Sequence, residues 1–221
     1  MKARQYHLNI MATALVIFGL NLLSLPAVAG DLEDGIRALQ HEWARANYKT
    51  AEDQQGAVFE KLTKQAEALV KQYPNAAEPL IWQAIITSSD AGATGGLSVL
   101  SKVKDARRLL EAAEQIDPNA LNGSIYTSLG SLYYQVPGWP LSFGDDDAAE
   151  IYLKKALSAN PNGIDQNYFY GDYLRDQGNY KEALNYLNKA LNAPDRAGRP
   201  VADEGRRAEI RKALEEIKEN L

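Results

Sequence analysis

The chain has 221 residues, 45% of them hydrophobic and 24% charged, with a net charge of −5 and no cysteine. That composition suits one globular domain and excludes long disorder, while the absence of cysteine excludes disulfides, zinc–thiolate sites, cysteine nucleophiles and a lipid-bearing cysteine. The acidic balance argues against nucleic acid and anionic membrane surfaces as partners, because phosphate binding requires a basic surface.

The N-terminus reads as a targeting segment. Lys2, Arg4 and His7 precede an apolar stretch over 10–25, and Pro26 stops it ahead of the small residues Ala27, Val28 and Ala29. This is the layout of a secretory signal peptide over 1–29, with cleavage expected between Ala29 and Gly30 and a periplasmic or secreted mature chain. An uncleaved anchor is the competing reading, since 8–29 is just long enough to cross a bilayer. Asn21, Ser24 and Pro26 interrupt the half that an anchor keeps apolar. The leader carries two positive charges and no acidic one, so its loss leaves a net charge of −7. No later segment approaches membrane-spanning length, so no stable span is expected after cleavage.

Helical periodicity dominates from residue 31 onward. Residues 31–74 read as a helical hairpin, with Leu32, Ile36, Leu39 and Trp43 on one face and Phe59, Leu62, Ala66 and Leu69 on the facing helix. His41, within the first of these helices, has no second histidine at metal-ligand spacing and is expected to be solvated or packed at an edge. The next unit carries Ala84 in its first helix and Ala106, Leu110, Ala113 and Pro118 in and after its second. A third carries Leu129, Gly130 and Tyr133, then Ala149, Leu153, Ala156 and Pro161. The fourth, over 163–194, is the clearest. Gly171 lies in its first helix, Gly178 and Asn179 form the turn, and Ala183, Leu187, Ala190 and Pro194 follow.

The fourth unit resembles a tetratricopeptide repeat, with Gly171, Ala183, Leu187 and Ala190 at the family's small, small, bulky and small positions. The resemblance implies an all-α solenoid of about four antiparallel helix pairs over 30–200, the first degenerate, stacked so that neighbours bury each other's apolar faces. The linker 192–200 then leads to a C-terminal capping helix over 201–221, whose stripe of Ile210, Ala213, Leu214, Ile217 and Leu221 would cover the open end of the stack. In this family the first helix of each pair lines a concave groove. By the same spacing the groove positions are Ile81, Ile85 and Ser88, then Ser124, Thr127, Ser131 and Tyr134, then Asp165, Tyr168, Asp172 and Arg175. Such a mixture of aromatic, hydroxyl and charged groups suits a peptide segment or a protein helix. About half of Tyr126, Tyr133, Tyr168, Phe169, Tyr170 and Tyr173 are expected to pack between helices instead.

Two insertions interrupt the repeat spacing. The first, 90–96, is glycine-rich but lacks the Gly-Lys-Ser/Thr ending of a phosphate loop, and it reads as a flexible turn that lengthens a hairpin. The second, 136–147, contains two prolines and two glycines that stop any helix. Its Trp139, Leu141 and Phe143 are costly to leave in water, so they are expected to fold back onto the stack, the alternative being a ligand loop. Asp145, Asp146 and Asp147 lack the spacing of a calcium loop and read as a helix start, one of them capping and the others opposing the helix dipole. Over 120–161 this proline–glycine loop before an acidic helix start is loosely similar to periplasmic repeat proteins grouped with the accessory T-component of TRAP transporters. That resemblance implies a small, hydrophobic ligand.

No catalytic motif is present. There is no Gly-x-Ser-x-Gly elbow, His7 leaves with the leader, and acidic pairs such as Glu215 and Glu216 read as solvated helix faces. No cofactor or metal is implied. The sequence therefore points to an exported, non-catalytic scaffold that binds a polypeptide in a concave groove, with a periplasmic small-ligand-binding accessory protein of a transporter as the alternative. An open polar groove favours the first reading and a closed cavity the second, while a buried carboxylate pair in a cleft would reopen the question of an enzyme.

Overall fold

The computed structural model of the chain describes residues 25–96 and 98–219. The leader up to residue 24 and Leu221 of the last apolar stripe lie outside the described residues. Among the described residues the chain forms nine α-helices: α1 Leu25–Tyr48, α2 Glu52–Gln72, α3 Ala77–Thr94, α4 Val99–Ile116, α5 Ser124–Gln135, α6 Asp146–Ala159, α7 Ile164–Asp176, α8 Tyr180–Leu191 and α9 Pro200–Glu219. A single 3-10 turn, Ala120–Gly123, joins α4 to α5. None of the described helices is long and apolar enough to cross a membrane.

The helices pair as four hairpins, α1–α2, α3–α4, α5–α6 and α7–α8, each stacked on the next. Pairing follows the small and bulky positions of the repeat. A Cβ on Gly130 would lie 2.6 Å from Leu153 Cγ, and one on Gly171 would lie 2.9 Å from Leu187 Cγ. The missing side chain at each glycine is what lets α5 approach α6 and α7 approach α8. Leu110, Leu153 and Leu187 are all fully buried, each contributing about 1.5–3 kcal/mol of apolar burial. The first hairpin holds as expected, with Ile36, Leu39, Trp43, Phe59, Leu62 and Ala66 in one core.

The first insertion is not a loop. Asp90 and Ala91 are buried in α3, and Asp90 pairs with Lys102 of α4 at 2.8 Å. With one residue in the core and the other charge-paired, the helix continues to Thr94. The turn shrinks to Gly95 and Gly96, both at positive φ (61° and 74°), which glycine adopts without a Cβ penalty.

The second insertion is a loop, but only part of it packs. Phe143 meets Tyr133 edge-on at 5.6 Å, with the Arg107 guanidinium 4.3 Å from its ring centre. Trp139 and Leu141, expected to pack, are instead 90% and 65% exposed. The cause is the backbone. Gly144 N–H donates to Pro137 O and Asp145 N–H to Tyr133 O, and a Cβ on Gly144 would collide with Val136 O. The two limbs of the loop touch along their main chains, which leaves the tip standing off the stack. Asp145 then caps α6, its carboxylate accepting from Ala148 N–H at 2.9 Å, with Asp146 and Asp147 in the first turn.

α9 does more than cap. It covers α8 and α7, and it also packs on α1. Gly205 lies so close to Tyr48 that a Cβ would collide with its ring. Lys49, in the turn after α1, pairs with Glu204 at 2.9 Å, and the exposed His41 has Nε2 2.8 Å from Gly198 O. Glu216, read from sequence as solvated, pairs with Arg175 of α7. The last helix thus meets the first, and the solenoid closes on itself.

Candidate binding cavity

Closure turns the concave side into a half-open cavity of about 400 Å³, within the range of small-molecule sites. Its walls come from α1, α3, α4, α5, α7 and α9 and from the linker before α9. Trp43 and Tyr48 stand on α1, Trp82, Ile85, Ser88 and Ser89 on α3, and Ser124, Thr127, Ser128 and Ser131 on α5. Asp165 and Phe169 contribute from α7, Arg206 and Glu209 from α9, and Arg199 from the linker. Val103 of α4, with Leu132 and Val136, supplies an apolar side.

The charged part of the wall is an internally paired network. Asp165 accepts from Arg206 Nε at 2.8 Å and from Arg196 Nη1 at 2.5 Å. Burial pushes the Asp165 carboxyl upward, but Arg206 and Arg196 outweigh it and hold the group well below the usual carboxylate range. Arg196 also binds Asp203, and Arg206 binds Glu209. Glu209 is further hydrogen-bonded to Tyr48, and burial pushes its carboxyl above the ordinary value. Burial likewise pushes the Tyr48 hydroxyl up to about 12. Asp165 and Glu209 are therefore a half-buried carboxylate pair in a cleft, but Arg206 lies between them and donates to both. Among the described residues, no three histidine, aspartate or glutamate side chains gather where they could hold a metal ion.

Two donors on the wall lack acceptors. Trp43 Nε1 donates to Ser89 Oγ at 2.9 Å, whereas the neighbouring Trp82 Nε1 is buried with no partner. Arg199 Nε is likewise buried and unpartnered, and its guanidinium lies 5.2 Å from the Trp82 ring centre. An unsatisfied buried donor costs about 1–3 kcal/mol. Burial, and then the nearby positive charge of Arg196, pushes Arg199 down to about 10.

The groove residues expected from sequence divide into two groups. Ser124, Thr127, Ser131 and Asp165 line the cavity, together with Ile85 and Ser88; Ile81 is fully buried in the core. Tyr134, Tyr168, Asp172 and Arg175 do not line it. Tyr134 donates to Asp172 at 2.7 Å, and Arg175 bridges Asp172 to Glu216 of α9. The Tyr168 ring is covered by Arg206 at 4.4 Å. The groove of the last repeat is thus occupied by the protein's own last helix. Of Tyr126, Tyr133, Tyr168, Phe169, Tyr170 and Tyr173, only Tyr170 and Tyr173 are buried and the other four are half-buried. Trp139, Leu141 and Phe143 do not line the cavity, although their loop contributes Val136 and Pro137 to it.

Sequence reasoning missed Trp43, Trp82, Arg199 and Arg206 as wall residues. The one available signal was the density of arginines over 196–207, four in twelve residues, directly after a linker.

No family model matches the chain, and no curated protein matches it. Among solved structures it is similar to a thermophilic TPR protein from Thermus thermophilus, with a TM-score of 0.55 and 16% identity, covering 83% of this chain and 98% of that one. The paired helices, the small and bulky positions between them and this structural likeness agree: the chain has the all-α solenoid fold of a tetratricopeptide-repeat protein.

Proposed function

We propose that this protein is an exported, non-catalytic binding scaffold that holds a small ligand in its concave cavity. The observation that carries this reading is the packing of α9 on both α1 and α7. It narrows the groove to a half-open cleft of about 400 Å³, a size that suits a small ligand. The lining supports it too, since apolar and aromatic walls with a few polar groups are what small-molecule sites present. The non-catalytic part rests on Arg206, which occupies both carboxylates that could do acid–base work. Native mass spectrometry of the full chain, purified from its own cells, tests the reading. A small-molecule adduct carried by the parent and lost in Ser128→Phe, which fills the cavity, is expected. An adduct equally present in both would sink it.

Export rests on the leader pattern. Cleavage after Ala29 would trim only the first turn of α1 and leave Ile36, Leu39 and Trp43 in their core. N-terminal sequencing should read Gly30 first. An intact leader on all of the protein would rule export by cleavage out. A role beside a transporter is the form of this function that the proline–glycine loop resemblance implies.

A polypeptide partner is the second reading, and one observation favours it: the groove of the last repeat already holds a helix, α9, through Arg206 and Glu216. A partner helix would displace it. Capture of a partner by the parent that increases when Gly205→Val loosens α9 would support this reading, and unchanged capture would count against it.

A further inference from the structure

The cavity wall is unevenly satisfied, and the imbalance points to the kind of ligand. Both carboxylates on the wall have their acceptor capacity engaged. Asp165 takes Arg206 and Arg196 on its two oxygens, and Glu209 takes Arg206 and Tyr48. Their arginines are shared in turn, Arg206 between Asp165 and Glu209, Arg196 between Asp165 and Asp203. Arg199 makes none of these close pairs, although the charges of Asp165 and Asp203 reach it. Among the described residues no carboxylate pairs with it, its Nε has no acceptor, and its partner is the face of Trp82. Trp82 is 4% exposed, and its own N–H is equally without an acceptor.

A guanidinium over an indole face is held in plane, which leaves its N–H edge oriented for a carboxylate. Arg199, which has no close carboxylate, and Trp82, whose buried N–H has no acceptor, both line this cavity and favour an acceptor that carries negative charge. The same cavity is also lined by the apolar side chains of Val103, Leu132 and Val136. We propose that the cavity binds a small organic monoanion, its carboxylate seated against Arg199 and Trp82 and its apolar body against Val103, Leu132 and Val136. This rests on the small-ligand reading of the cavity and adds the chemical class of the ligand. A bound anion also relieves Arg199, which burial and the charge of Arg196 hold down at about 10. A cation has no free carboxylate to meet there, and a neutral ligand brings no charge to oppose that of Arg199, on which Asp165 and Asp203 act only from farther off.

Isothermal titration calorimetry of the full chain decides this. The probes are octanoate, phenylacetate and indole-3-acetate, each beside its primary amide. At least one acid is expected to bind, with its amide about ten-fold weaker or worse, the difference a charge-assisted hydrogen bond makes. Arg199→Gln is expected to erase the preference and Arg199→Lys to restore part of it. Trp82→Phe, which keeps the ring and removes the N–H, should weaken the acid and leave the amide unchanged. Melting curves establish that each variant is folded, and Trp82→Phe carries the test if Arg199→Gln is not. Amides that bind as tightly as acids would overturn the inference, as would an Arg199→Gln variant that keeps the preference. If that binding were still lost in Ser128→Phe, the cavity would remain the ligand site and only the anion would be wrong. Absence of heat from every acid and amide would also overturn the anion class. The adduct measurement with Ser128→Phe then decides the cavity on its own.

Discussion

Arg206 of α9 reaches across the concave face and donates from Nε to Asp165 of α7 at 2.8 Å. Its Nη1 serves Glu209 one turn along its own helix. One guanidinium therefore ties the last repeat to the closing helix and bridges both carboxylates of the cavity wall.

Removing one member of that network should be expensive. Asp165→Asn leaves Arg196 and Arg206 without the buried charge they share, and is expected to cost about 3 kcal/mol in urea denaturation at neutral pH. Glu209→Gln should cost about 1 kcal/mol or less, because burial already disfavours its charged form. The pH dependences run in opposite directions. The folded value of Asp165 is depressed, so its contribution is complete above the ordinary carboxylate value and is lost as pH falls through the folded one. The folded value of Glu209 is raised, so its contribution is complete below the ordinary value and is lost as pH rises through the folded one. Asp165→Asn should therefore flatten the acid limb of the stability curve, and Glu209→Gln should flatten the limb above it. Equal costs for the two variants, or unchanged acid limbs, would show that the network does not hold α9.

Two glycines test the register of the repeat. Gly171→Leu would drive a side chain into Leu187, which a Cβ would already approach to 2.9 Å, and should cost about 2–3 kcal/mol or more. Gly92 lies in α3 with nothing within 4 Å of a built Cβ. Gly92→Ala should stabilise by about 0.5–1 kcal/mol through helix propensity. Thermal melts of the two variants should move in opposite directions. A Gly171→Leu protein that melts like the parent would mean that α7 and α8 pair differently.

The clasp between the chain's ends can be loosened without touching a repeat. Gly205→Val places branches where Tyr48 already leaves no room for a Cβ, an overpacking expected to cost about 2 kcal/mol. Hydrogen exchange should then rise together in α1 and α9 while α3–α6 stays protected. Loss of protection spread evenly over all the helices would contradict a separable clasp.

The exposed loop tip is expected to be dispensable for folding. Trp139→Ala and Leu141→Ala should each change stability by no more than about 0.5 kcal/mol, because neither side chain packs on the stack. Trp139 should also supply the water-exposed component of tryptophan fluorescence, which Trp139→Phe removes while leaving the signal of the buried Trp43 and Trp82. A cost above about 1–2 kcal/mol would place the tip against the stack after all.

Much of this architecture is legible from residue spacing. Gly130 with Leu153, Gly171 with Leu187, and the buried series Ala106, Leu110 and Ala113 lie where the repeat pattern puts them. So does the cap at Asp145. Each of these depends on neighbours within one or two helical turns, or on one helix facing the next. The glycines of 90–96 misled because helix propensity weakly opposes them, whereas burial of Ala91 and the Asp90–Lys102 pair outweigh that preference. Trp139 and Leu141 misled in the other direction, since hydrophobicity says nothing of which way a loop's backbone turns.

The site was half legible. Ser124, Thr127, Ser131 and Asp165 were found because first-helix positions face inward in any such stack. Tyr134, Tyr168, Asp172 and Arg175 face inward too, but they meet α9 or the groups that hold it rather than solvent. By itself the sequence determined the paired helices and their order, because 3.6-residue periodicity converts spacing directly into a buried face. The tertiary structure alone decided that α9 returns to α1, that Arg206 meets Asp165, and that Arg199 lies over Trp82 without an acceptor. Those meetings depend on the summed rotation of four stacked hairpins, a quantity no local pattern of residues carries.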